Sequence, residues 1–412
     1  MNLPAFFIIG LGAAIAPLDF AVNIAFPAIT DVFKLQTQSI RWIALCYVLT
    51  YGSLVIWFGA LGDRVGHLKV FRWGLILAIV SLIFCSLAPT YDWLIVARVM
   101  QGVAMALLLS CAPALIIGVF ASEQRTRALS AYGGLTALAG VLAPIFGGFS
   151  VDLLGWSGVF WFRVPIAIAA LLCLPLVHAH FKQPRFERKT GDKSGSTFLI
   201  LYDVFKNGHN FGWVNVANVI VQLCSFTVPL ILPYYLTRVA LWTPIETGGA
   251  LAVWACGTLI GSFVAGQFIK RSGVHQTAFI AAWMSILGLV FIALWTAQVP
   301  LWVMVISTVL QGLGLGLFQV AYTDWVIAEL PVTSRGVAGS LTVLTRTMGI
   351  IIGAFLWLWV LDHAQALSQA DGLSPRQAFM SGFRQLYVVA ILISGGFFAA
   401  SGFRFWKRES TR

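Results

Sequence analysis

Charge is what this chain lacks. Asp, Glu, Lys and Arg make up 10% of its 412 residues, against about 25% in a soluble globular chain. Hydrophobic residues make up 59%, so a soluble fold of this size has too few polar side chains to cover its surface. One stretch, Ser272 to Thr323, runs for 52 residues without a single Asp, Glu, Lys or Arg. A membrane span takes about 20 apolar residues, so that run suits two spans. The chain reads as an all-α polytopic membrane protein.

Other absences narrow the function. No G-x-x-x-x-G-K-[ST] occurs, which argues against a nucleotide-driven pump, and the six histidines form no H-E-x-x-H. The cysteines, Cys46, Cys85, Cys111, Cys173, Cys224 and Cys256, all fall in apolar segments without metal-ligand spacing. They read as small buried hydrophobes. No nucleophile–base constellation appears, so the chain is not read as an enzyme. The net charge of +11 does not indicate nucleic acid, because the basic residues are spread between apolar spans. The N-terminal segment lacks a positive n-region and reads as the first span.

What is present is a series of charge-poor runs. They give twelve expected helices, roughly 4–28, 42–62, 72–90, 93–119, 130–152, 157–180, 212–237, 248–270, 275–297, 300–328, 336–361 and 383–405. One charged segment divides them six and six. This gives an N-terminal bundle over 1–180, a cytoplasmic linker over 181–211 and a C-terminal bundle over 212–412. With both termini cytoplasmic, 18 of the 26 Lys and Arg fall in inner segments and 5 in outer ones. The positive-inside rule therefore places both ends inside a cell (inner) membrane.

The halves repeat. Gly59-Ala-Leu-Gly-Asp63-Arg64-Val-Gly66 matches Gly266-Gln-Phe-Ile-Lys270-Arg271-Ser-Gly273, and Val99-Met-Gln101-Gly102 matches Val309-Leu-Gln311-Gly312. Two parallel six-helix repeats describe a transporter architecture in which substrate binds between halves that rock to alternate access.

These residues carry a resemblance. The stretch from Gly59 to His67 resembles the inner-loop signature of the major facilitator superfamily. Leu94 to Gly102, with Arg98 and Gln101, resembles its fourth-span signature. Ala139 to Gly148, with Ala143, Pro144, Gly147 and Gly148, resembles the fifth-span antiporter signature, and Leu18 to Pro27 resembles the first-span signature. The likeness spans essentially the whole chain and is closest to the drug–proton antiporters, whose members usually have fourteen spans where twelve are counted here. It implies alternating access, proton-coupled export of small amphipathic or apolar organic compounds, no cofactor beyond the proton gradient, and a monomer in the lipid bilayer. Uptake of a metabolite or organic anion on the same fold is the rival reading, and a transporter-like membrane sensor is a rival of another class.

Charges within the spans are the sharpest candidates, because one at the bilayer centre costs at least about 2.5 kcal/mol and usually faces a cavity or a partner. Asp19 and Arg98 lie at comparable depths, roughly 13 and 8 Å from the outer surface, and are expected to pair. Asp324 and Arg346, roughly 8 and 15 Å from the inner surface, are expected as a second pair. These four are the candidate proton-coupling residues, with Asp19 the main carboxylate. Arg163 stands near the outer end of the sixth span. Its first reading is a side chain snorkelling to the headgroups; its second is a cavity residue favouring an anionic or zwitterionic substrate. Asn23, Gln222, Tyr234, Trp254, Phe318 and Tyr322 complete the candidate substrate cavity. Gly59, Asp63, Arg64 and Gly66 form a candidate gating turn, with Asp63 as a latch.

Overall fold

The computed structural model describes residues 3–120, 124–178, 211–329 and 335–406, and among them finds helices and no strand. The expected linker lies outside these residues except for Phe211, which opens a helix. Chain order runs α1 (Leu3–Ala14), a 3-10 turn (Pro17–Ala21), α2 (Val22–Val32), α3 (Arg41–Val65), α4 (His67–Ser86), α5 (Tyr91–Val119), α6 (Arg125–Leu154), α7 (Gly158–Trp161) and α8 (Arg163–His178). After the linker come α9 (Phe211–Ser225), α10 (Thr227–Arg238), α11 (Pro244–Ala293), α12 (Leu301–Glu329), α13 (Arg335–Ala370) and α14 (Pro375–Trp406).

Ten of the described stretches are long and apolar enough to cross a membrane. Two of these, Arg127–Val177 and Pro244–Ala293, are 51 and 50 residues long, room for two crossings each. Each is broken by a glycine in the left-handed region, Gly155 at φ 69° and Gly273 at φ 77°. That makes twelve crossings.

The breaks have local causes. Gly66, between α3 and α4, has φ 101°, and Gly273 is its counterpart in the repeat. A side chain is strained at such angles, so one glycine turns the chain and the next helix starts at once. For this reason α4 begins at His67, well before the expected 72. The ends of α11 and α14 carry another device. Thr243 and Ser374 each exchange hydrogen bonds with a residue three positions on, Glu246 and Gln377, and Pro244 and Pro375 open the helices. These capping boxes start the helices at Pro244 and Pro375, ahead of the expected 248 and 383.

The described residues cluster into two compact units. One lies within Met1–Arg188 together with Trp242–Ala252, the other within Lys189–Leu241 together with Val253–Arg412. In the first, α3 and α4 pack along α5, and α1 lies on α8. In the second, α13 packs against α9 and α14. Each unit has its own buried aromatic core: Phe26, Phe71 and Phe160 in the first, Tyr235, Trp295 and Trp357 in the second.

Candidate functional site: a buried charge cluster and its neutral counterpart

The site in the first unit is built around a break. α1 stops at Ala14, Pro17 opens a five-residue 3-10 turn, and α2 starts at Val22, with Asp19 in the turn and buried. Its carboxylate meets Arg98 of α5, whose Nη1 and Nη2 donate to Oδ1 and Oδ2 at 2.7 and 2.9 Å. The same Oδ1 accepts from Gln101 Nε2 at 3.0 Å and from Arg163 Nη1 of α8 at 2.6 Å. Arg98 is held further by Nε donating to the Ile43 carbonyl at 2.8 Å and by the Tyr47 ring 4.4 Å below its guanidinium carbon. Phe160 presents its ring to both guanidinium groups, at 6.0 Å from Arg98 and 5.4 Å from Arg163. Asp19 and Arg98 are in direct, two-pronged contact. Arg163 does not snorkel to the headgroups: it is 0% exposed and bonded to Asp19.

Gln101 is the residue that sequence reading passed over. It accepts from Arg98 Nη1 at 2.7 Å while donating to Asp19, and so fixes both partners. Its repeat mate, Gln311 of α12, stands at a matching hub in the second unit. Gln311 donates to Ser225 Oγ and Ser285 Oγ at 2.8 and 3.1 Å and accepts from Trp254 Nε1. Asp19 and Ser225 lie 206 positions apart, Tyr47 and Trp254 lie 207 apart, and Gln101 and Gln311 lie 210 apart. The next residue in each hub is glycine for a shared reason. A Cβ on Gly102 would stand 2.9 Å from the Tyr47 carbonyl, and one on Gly312 2.3 Å from the Trp254 carbonyl. The signal was available in the sequence as the repeated Val-x-Gln-Gly.

A second neutral network lies in the same unit. Tyr322 donates to Asn215 Oδ1 at 2.8 Å and shares a hydrogen bond with Thr345, which also accepts from Asn218 Nδ2 at 2.8 Å. Phe318 stacks on Tyr322 at 6.3 Å between ring centres. Tyr234 lies buried under Arg238, and Gln222 is buried against Gly349. These expected cavity residues sit in the packed interior of their unit. Asn23 is buried one turn beyond Asp19 but is not among the carboxylate's partners, which are Arg98, Arg163 and Gln101. A groove of about 300 Å³ in the first unit is lined by Leu18, Leu135, Leu142, Phe146, Phe162 and Ile166, and by none of the expected cavity residues.

The expected second ion pair does not form. Asp324 and Arg346 are both exposed, with no salt bridge between them. Tyr322, Trp325 and Val326 take the buried face of α12, and successive residues rotate by about 100°, which turns Asp324 away from that face. At the turn between α3 and α4, Asp63 meets His67 Nε2 at 3.1 Å, while Arg64 is exposed and Gly59 and Gly66 flank them. The small residues of α6 have close neighbours. A Cβ on Gly147 would meet Ala21 at 2.7 Å, and one on Gly148 would meet the Pro244 carbonyl at 2.5 Å. Gly248 presses on the carbonyl of Pro144 in the same way. Ala143, on the same helix, is fully buried.

The chain is similar to known proteins along most of its length. The chain is 24% identical over 389 residues to the riboflavin transporter RibZ of Clostridioides difficile, covering 84% of this chain and 85% of that protein. It is 25% identical to the methylenomycin A resistance protein of Streptomyces coelicolor, covering 90% of each. In fold it matches a bacterial homologue of the human lysosomal transporter Spinster, with TM-score 0.75, 19% identity and 98% and 97% of the two chains covered. It also matches a D-xylose–proton symporter, with TM-score 0.75, 14% identity and 98% and 97% covered. The family model described as Major Facilitator Superfamily matches residues 3–354. This chain is a multi-pass membrane transporter and belongs to the major facilitator superfamily.

Proposed function

We propose that the chain is a proton-coupled exporter of small organic compounds, working by alternating access from a cell membrane with both termini inside. The observation that carries proton coupling is Asp19, the one buried carboxylate among the described residues, held at the break between α1 and α2. A proton arriving there removes the charge that Arg98 and Arg163 share, so loading and unloading it changes how the turn between α1 and α2 is held to α5 and α8. Export is supported by the close-packed small residues of α6 and by relatives such as the tetracenomycin C resistance and export protein of Streptomyces glaucescens, 24% identical over 399 residues. Asp63 at the inner turn is the proposed gating residue, with Asp324 and Arg346 as exposed charges available to the pathway.

One observation favours a second reading. The cluster holds two guanidinium groups against one carboxylate, which suits an organic anion moving in the same direction as its proton. Purified protein in proteoliposomes with an imposed pH gradient, screened against organic compounds while substrate and proton fluxes are both recorded, separates the two. Export by exchange shows opposed fluxes; co-transport shows parallel ones. Asp19→Asn is expected to abolish uphill accumulation in either case while leaving slow downhill exchange. If that variant still pumps uphill, Asp19 is structural and the coupling role passes to Asp324.

A further inference from the structure

Arg98 and Arg163 share a carboxylate but are not equally satisfied. Every guanidinium nitrogen of Arg98 has an acceptor: the Ile43 carbonyl for Nε, Asp19 and Gln101 for Nη1, and Asp19 for Nη2. Arg163 gives Nε to the Val159 carbonyl at 2.9 Å and Nη1 to Asp19, while its Nη2 is sealed from solvent without a hydrogen-bond acceptor. The cluster therefore carries one positive charge in excess and one charged donor group with nothing to receive it. A second carboxylate is not available, since Asp19 is the sole buried acid among the described residues. The faces of Phe160 and Phe162, 5.4 and 5.9 Å from the Arg163 guanidinium carbon, offset part of that charge and accept no conventional hydrogen bond. A fully buried guanidinium with an uncompensated charge is costly to keep. Asp19 Oδ1 already takes three hydrogen bonds, from Arg98, Gln101 and Arg163, and Arg163 reaches the carboxylate through Nη1 alone.

We propose that the free edge of Arg163 is an anion-binding site. Its Nη2 group donates to a carboxylate or to a small inorganic anion, and occupancy brings the cluster to neutrality. Two sources share this chemistry: the carboxylate of a transported organic acid, or chloride from solution. The proposal rests on the reading of the chain as a transporter only for the first source, because binding is measured without a gradient or a flux. A proton on Asp19 raises the cluster's excess charge from one to two, and an anion takes one back, so the two ligands favour each other. Cargo bound here would thus travel with its proton, whereas chloride here leaves exchange export standing.

The test uses purified full-length protein in nanodiscs. Thermal unfolding is followed while sodium benzoate or sodium chloride is titrated at matched ionic strength, in wild type and in Arg163→Gln. The expected result is a saturable rise in Tm for wild type with at least one salt, absent in Arg163→Gln. In the wild type alone, equilibrium binding of radiolabelled benzoate and chloride should reveal one saturable site for which the two compete. This arm stands even if Arg163→Gln fails to fold. Benzoate binding followed by counterflow of benzoate in proteoliposomes assigns the site to cargo, and chloride binding alone assigns it to a resident counter-ion. No saturable binding of either anion, or an equal response in Arg163→Gln, overturns the proposal.

Discussion

The two hubs, built on the same glutamine, differ in one respect: Gln101 sits among ions and Gln311 among hydroxyls and an indole. In the repeat, Ser225 corresponds to Asp19, Trp254 to Tyr47, and Thr308 to Arg98, and the Thr308 hydroxyl turns back to its own helix at the Met304 carbonyl. Both hubs solve the same packing problem, filling the space where two helices cross at a glycine with groups that satisfy one another. The second unit does it with neutral partners, which are cheap to bury once hydrogen-bonded. The first does it with three charges that do not cancel. Charge is therefore not needed to hold such a crossing together, and its presence in one unit is what the proposed coupling role rests on.

The change expected to disturb this comparison most is Asp19→Asn. It leaves two buried guanidinium groups without a counter-charge, and removing one partner of a buried ion pair typically costs about 3–5 kcal/mol. Detergent-solubilised Asp19→Asn should show the largest fall in Tm of any single substitution in either hub. Adding Arg163→Gln to it should recover part of the loss, because the double variant carries one buried cation in place of two. The corresponding change in the other unit is Ser225→Asp, which introduces a carboxylate where Thr308 stands in place of an arginine. It is expected to destabilise to a similar degree. A mild effect there would mean that the second unit already offers a cation to that position.

Gln101→Leu and Gln311→Leu come next. Each leaves buried polar groups without their partner, at about 1–3 kcal/mol per stranded group. By stability the two should look alike, since both glutamines serve partners on neighbouring helices. By function they should diverge. Gln101→Leu loosens Asp19 and should alter the pH dependence of transport, whereas Gln311→Leu should leave that dependence in place. Matching transport profiles for the two variants would remove the distinction between the hubs.

Much of this is legible in the sequence. Charge-free runs marked the crossings, and the repeated Val-x-Gln-Gly and the Gly66 and Gly273 turns marked the duplication. Depth alone pairs Asp19 with Arg98, because a membrane restricts where charges lie along its normal. Depth says nothing of azimuth, which decides whether two charges meet. Asp324 and Arg346 are at compatible depths but exposed and unpaired with each other. Arg163 was placed near the outer surface, where a long side chain ordinarily reaches the headgroups, and only the fold shows Asp19 within its reach. Capping boxes are polar, so apolar runs do not mark the starts of α11 and α14.

The smallest effect is expected from the charges that the fold leaves outside both hubs. Asp324→Asn and Arg346→Gln each remove an exposed charge with no partner in the other, and surface changes of this kind usually stay within about 0.5 kcal/mol. Because the two side chains do not meet, their effects on Tm should add, and a double-mutant cycle should return an interaction energy near zero. The same cycle run on Asp19 and Arg98, which share two hydrogen bonds, should return one of the largest in the molecule. The contrast turns on geometry rather than charge, since both pairs join an aspartate to an arginine within membrane-spanning segments. A large coupling between Asp324 and Arg346 would show that they approach each other in a second conformation of the transport cycle. Stability would then carry a contribution from a state other than the one described.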